Sequence, residues 1–159
     1  MQKICDTFER TCKKEFGFLN AEYRLKATNI EKDVYGCYAI YSNDVVAVEI
    51  DFSIKDGGIF IMLCRMVNGE LPAQEIFVRS ETVLNRFDLE DVVNLKNPSM
   101  ELEQDFVDLY NPTAKELVEN LKVYAEALKK YAKDILGGDF SSFAELEKIV
   151  KRRANVLRE

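Results

Sequence analysis

Glu49 and Asp51 are the residues of this chain best spaced for chemistry. On a strand they flank Ile50 and project from one face, with Lys55 and Asp56 just beyond them. Two strand carboxylates beside a lysine can hold Mg²⁺, which takes oxygen ligands at about 2.1 Å while the lysine attends the attacking water. The usual nuclease arrangement runs acid, any residue, lysine on one strand, and Glu49-Ile50-Asp51 lacks that lysine. The pair is therefore expected to form the solvated face of an amphipathic strand, with no metal and no catalytic residue.

Other chemistries are constrained by what the chain lacks. It contains no histidine, which removes Ser-His-Asp and Cys-His catalysis, the usual base near neutral pH and the commonest zinc ligand. Gly57-Gly58 is not followed by a helical pattern, and no phosphate-cradling Gly-x-x-x-x-Gly-Lys-Ser/Thr run occurs. The four cysteines, Cys5, Cys12, Cys37 and Cys64, form no Cys-x-x-Cys pair. They read as four buried thiols acting as small hydrophobes, without a disulfide framework, cofactor or metal.

Charge says more. The net charge is −6, but residues 70–111 alone carry three bases and ten acids, net −7. Within them, residues 99–111 hold Glu101, Glu103, Asp105 and Asp108 and no base. Such a segment repels nucleic acid and anionic membranes and steers a basic partner. The basic run Lys148 to Arg153 is short and reads as a solvated helix face.

The elements that must position these residues follow from periodicity. Residues 2–16 repeat Cys5, Phe8, Cys12 and Phe16 at helical spacing, and Gly17 is a stop. Four strand-like runs follow: 23–28, 35–41, 45–52 and 59–67. Val46, Val48, Ile50 and Phe52 share one face of the third, and the fourth is apolar enough for a central strand covered on both faces. Ser42-Asn43-Asp44, Lys55-Asp56-Gly57-Gly58 and Asn68-Gly69 are turn sequences, and such short connections imply an antiparallel meander. Ile76-Phe77-Val78 suits a last short strand, Phe87–Val93 a short helix, and residues 99–111 a partly helical acidic connection. Asn111 is placed to cap a long helix with Pro112 in its first turn. Its stripe is Leu117, Leu121, Tyr124, Leu128, Tyr131 and Ile135, and it ends at Gly137-Gly138. Ser142-x-x-Glu145 has the form of a capping box opening a second helix, whose apolar face is Phe143, Leu146, Val150 and Leu157.

The run Tyr131-Ala132-Lys133-Asp134-Ile135-Leu136-Gly137-Gly138-Asp139-Phe140-Ser141-Ser142-Phe143, with Leu146, Ile149 and Arg152-Arg153, resembles the C-terminus of a group of small bacterial proteins. Some of those resemble immunity proteins encoded beside secreted polymorphic toxins. The resemblance implies an N-terminal helix, antiparallel strands and a C-terminal helix-turn-helix, and it transfers no catalytic residue.

The expected fold is thus one α+β domain over residues 1–159. It would comprise an N-terminal helix, a four- to five-stranded antiparallel meander, and a C-terminal helical pair packed on one face. The chain has neither a signal-peptide pattern nor an apolar run of about 18 residues, so a cytoplasmic protein without membrane contact is expected. The expected function is non-enzymatic binding of a protein. The resemblance makes this an immunity protein that occludes a basic toxin through Glu101, Glu103, Asp105 and Asp108, with a few aromatic anchors. An acidic secretion chaperone or adaptor is the alternative, and a carboxylate-based Mg-dependent enzyme is a third.

Overall fold

The computed structural model describes residues 1–156. Helix α1 (Gln2–Glu15) and the short α2 (Phe18–Tyr23) precede strands β1 (Lys26–Lys32), β2 (Gly36–Ser42), β3 (Val46–Ser53) and β4 (Gly58–Arg65). After a long connection come β5 (Arg86–Asp88), α3 (Leu89–Lys96), α4 (Ala114–Tyr131), the one-turn α5 (Lys133–Leu136) and α6 (Phe143–Arg153). The five strands form one antiparallel sheet in sequence order. The architecture is therefore the α+β meander with terminal helices that the periodicity predicts.

The pleat sorts the sheet into two faces. Register aligns Cys37 with Phe52 and Ile59, Ala39 with Ile50 and Ile61, and Tyr41 with Val48, Leu63 and Phe87. All are buried, and they form one core cluster with Phe8, Cys12 and Phe16 of α1 and Leu117, Leu121, Tyr124 and Leu128 of α4. α1 packs on α4 and β2, and α4 on β4. The opposite face aligns Tyr38 with Asp51 and Phe60, Ile40 with Glu49, Met62 and Asp88, and Ser42 with Ala47, Cys64 and Arg86. The connection after β4 crosses near it: Arg86 donates to the Pro72 carbonyl at 3.2 Å. β4 is thus covered only in part on this second face: Cys64 is buried, while Phe60 and Met62 stay half-buried.

The hairpins are as their turn residues dictate. Asn43 Oδ1 accepts from the Val45 and Val46 amides, both at 2.8 Å, an Asx turn joining β2 to β3. Gly57 (φ +97°) and Gly58 (φ +132°) carry the next turn in backbone regions closed to other residues. Gly36 is required for a different reason, since a Cβ there would lie 1.9 Å from the Phe52 carbonyl oxygen.

Several expectations are corrected. The first strand begins at Lys26, because Leu25 is drawn back onto Leu19 and Arg24 turns the chain in the left-handed region (φ +60°). Ile76-Phe77-Val78 is not a strand; Ile76 and Phe77 are 85% and 78% exposed, and the run is not among the sheet's five strands. The fifth strand is instead Arg86–Asp88, taken from the run read as helix, and Asp88 caps the helix that follows by accepting from the Glu90 amide at 2.8 Å. The long helix opens at Thr113, not Asn111, through a complete capping box with Glu116, and it stops at Tyr131 before the separate turn α5. The Ser142-Glu145 box does not form: Ser142 is helical (φ −77°, ψ −13°) and its buried hydroxyl is unpartnered. Leu157 lies outside the described residues.

The cysteine reading also changes. Cys5 and Cys37 form a disulfide joining α1 to β2, with Cα atoms 5.5 Å apart, while Cys12 and Cys64 are buried free thiols. Spacing along the chain could not disclose the pair, because its partners meet only when α1 lies across β2. Among the described residues, no helix is long and apolar enough to cross a membrane.

Candidate functional site

The acidic segment 99–111 contains no helix. It runs extended, and burial alternates with period two: Met100, Leu102, Gln104 and Phe106 are half-buried while Glu101, Glu103 and Asp105 are exposed. The inner residues fasten it. Gln104 exchanges two hydrogen bonds with the Ile59 backbone, and Phe106 lies 5.8 Å from Phe52, ring centre to ring centre. Asn120 of α4, buried at 3% exposure, accepts from the Asp105 amide at 2.7 Å and donates to the Asp105 carbonyl at 3.0 Å. Three of the four predicted contact residues are thereby aligned on one outward side.

Asp108 stands apart from that row. It is exposed, and its carboxylate accepts from the Tyr110 amide at 2.9 Å, holding a turn. Around that turn the chain projects Val107, 93% exposed, and Tyr110, 80% exposed. Leu109, between them, packs against the core. The carboxylates of Glu101, Glu103 and Asp105 make no ion pair or hydrogen bond among the described residues, so the ridge is unneutralised by the chain's own cations. Val107 and Tyr110 belong to this surface although residue type did not single them out. The available signal was an aromatic in a base-free acidic run.

The second concentration of chemistry lies on the partly covered sheet face. Glu49 is 3% exposed, not solvated as its alternation suggested. It pairs with the Arg86 guanidinium, accepts a hydrogen bond from the Tyr38 hydroxyl, and accepts from the Cys64 thiol at 3.6 Å. Burial and the bond to Glu49 push the Tyr38 phenol well above its usual range. Burial and the nearby Glu49 charge do the same to the Cys64 thiol, which makes it a poor nucleophile. The Asp51 carboxylate, beside this network, makes no ion pair and no hydrogen bond among the described residues. Burial, then Asp56, Asp33 and Glu49, raise its carboxyl to about 6. Asp88 is also raised to about 6, by burial, against the opposing bond from the Glu90 amide.

Tyr38, Glu49, Asp51, Arg86 and Asp88 line a cavity of about 600 Å³ together with Asp56, Phe60, Met62 and Gln74. Among the described residues no three carboxylates or cysteines converge closely enough to hold a metal ion. Lys55 is exposed at the hairpin tip, outside the lining. Arg86 was the participant sequence reasoning missed. It enters because β5 places it two rows from Asp51 on the same face. The basic run on α6 is not uniformly solvated either: Lys151 is 5% exposed, donating to the Ser80 carbonyl at 2.7 Å and to Glu147 at 2.6 Å.

No protein-family model, curated protein or solved structure matches the chain.

Proposed function

We propose that this chain is a non-enzymatic protein-binding protein, of the kind represented by immunity proteins, that occludes a basic protein partner through residues 99–111. The observation that carries the reading is the exposure of Val107 and Tyr110 at 93% and 80% inside a segment whose other large apolar residues pack inward. An exposed aromatic beside unneutralised carboxylates has the make-up of a binding hot spot, with the charges supplying steering and the ring supplying buried area. The partner is expected to present lysines or arginines around an apolar recess. A toxin neutralised by physical blocking fits that description.

The test compares the wild-type chain as bait in its native host with two variants. One carries lysine at Glu101, Glu103, Asp105 and Asp108; the other is Tyr110→Ala. The expected result is a basic protein retained by the wild type in a salt-sensitive manner and lost by both variants. Equal retention by all three baits overturns the reading. The exposure of Ile76 and Phe77, 85% and 78%, favours a second reading, an acidic secretion chaperone or adaptor that takes an extended apolar client segment. That reading requires loss of client when Ile76 and Phe77 become serine, with retention by the lysine variant.

A further inference from the structure

The cavity on the partly covered sheet face is a separate feature from the acidic ridge, and its lining is chemically specific. Its floor is fixed. Glu49 is held by Arg86, Tyr38 and Cys64, and Arg86 is held in turn by Glu49 and the Pro72 carbonyl. Nη1 and Nη2 are engaged by Pro72 and Glu49 while the buried Nε–H has no partner, so the guanidinium's charge is already paired with Glu49. Four carboxylates, Glu49, Asp51, Asp56 and Asp88, line the cavity against the single cation Arg86. Three of them are committed to the fold: Glu49 to the network just described, Asp56 accepting from the Ser53 hydroxyl at 2.8 Å, and Asp88 capping α3. Among the described residues the Asp51 carboxylate has no partner, and the charges that raise it, Asp56, Asp33 and Glu49, are all acidic. A half-buried carboxylate in that position is stabilised by an arriving positive charge and by little else.

Size and shape narrow the ligand. The carboxylates do not converge on a point, which excludes an inorganic ion held by them together. A volume of about 600 Å³ lies within the range of small-molecule sites. Phe60 stands directly opposite Asp51 across the β3–β4 ladder, and Met62 stands opposite Glu49. The lining thus offers an aromatic face and a thioether beside the unpaired carboxylate. That combination receives a charged head joined to an apolar stem.

We propose that this cavity binds an organic cation, an alkylguanidinium or alkylammonium group, with Asp51 as its counter-ion and Phe60 and Met62 against its stem. Asp51 occupies the place where the head docks, and the Glu49–Arg86–Tyr38 network holds the wall rigid. The site does not depend on the reading of residues 99–111.

The test is calorimetric titration of the intact chain with agmatine, with 1-pentanol as the uncharged comparison, and separately with a short capped peptide containing one arginine. Backbone and methyl NMR shifts locate the site. Agmatine is expected to bind and to move the signals of Asp51, Phe60 and Met62, while pentanol does not. Asp51→Asn is expected to weaken binding at least about tenfold, the scale of one lost charge-assisted contact, and the lysine variant of the ridge to keep its signal changes at Phe60 and Met62. Binding of the peptide without agmatine assigns the cation to a side chain of another protein, and binding of agmatine assigns it to a free small molecule. Binding of neither, shifts confined to residues 101–108, or undiminished affinity in Asp51→Asn overturns the proposal. Phe60→Leu, which removes the aromatic face opposite Asp51, is expected to bind agmatine more weakly than wild type and is the second variant should Asp51→Asn fail to fold.

Discussion

Gln104 and Ile59 face each other as though the glutamine side chain were a strand. The Ile59 amide donates to Gln104 Oε1 at 2.7 Å and Gln104 Nε2 donates to the Ile59 carbonyl at 2.9 Å. β5 pairs with β4 only from Met62 to Cys64, so the edge of β4 at Ile59 would otherwise expose an open donor and acceptor. One side-chain amide closes that edge and pins the acidic segment to the sheet.

Gln104→Ala is accordingly expected to cost about 1–3 kcal/mol, since it strands two partly buried backbone groups. Urea denaturation measures the loss. Faster hydrogen exchange at the Ile59 amide, with little change at Ile61, localises it.

The Glu49–Arg86 pair predicts an asymmetry. Arg86→Met leaves a nearly fully buried carboxylate without its cation and should destabilise the fold by about 3–5 kcal/mol. The double variant Glu49→Leu, Arg86→Met should recover much of that loss, because no uncompensated charge remains. A double-mutant cycle by denaturant unfolding checks both.

The disulfide between Cys5 and Cys37 spans 32 residues. Closing a loop of that length stabilises by about 3–4 kcal/mol through the unfolded chain. Thiol titration in denaturant is expected to find two free thiols without reductant and four with it. Thermal melting with and without reductant reads the stability difference.

Asp51 and Asp88 set a pH dependence of unusual sign. Both carboxyls stand near 6 in the folded chain, above about 3.9 for the unfolded chain. Between those values the folded state holds more protons, so their contribution to stability is greatest below about pH 4 and falls as pH rises to 6. Asp51→Asn removes its share of that fall and should stabilise the chain at pH 7 by about 1 kcal/mol, after allowance for the partial exposure of the group. It should have no such effect at pH 4. Chemical denaturation of both proteins across pH 4–7 supplies the comparison.

Sequence alone determined whatever depends on near neighbours along the chain. Alternation of Val46, Val48, Ile50 and Phe52 fixed the buried face of β3, and Gly57-Gly58 and Asn43 fixed two hairpins. The spacing of Leu117, Leu121, Tyr124 and Leu128 fixed the buried stripe of α4. The outward row of Glu101, Glu103 and Asp105 was legible as charge, though not as a straight ridge, because Ile59 and Asn120 fasten it from outside the segment.

Tertiary structure decided every feature that joins distant residues. Glu49 reads as solvent-facing because its alternation is that of a strand with one wet side. It is buried because Arg86, 37 residues away, and Tyr38 on the adjacent strand supply partners that make burial of its charge tolerable. Cys5 reads as a free thiol until α1 is laid across β2. Ile76 and Phe77 are strand-forming residues that pair with no strand; Arg86–Asp88, further along the chain, is the run that pairs beside β4. Local pattern decides which face a side chain takes; the energy of a buried charge, a crosslink or a strand edge depends on what the rest of the fold brings to it.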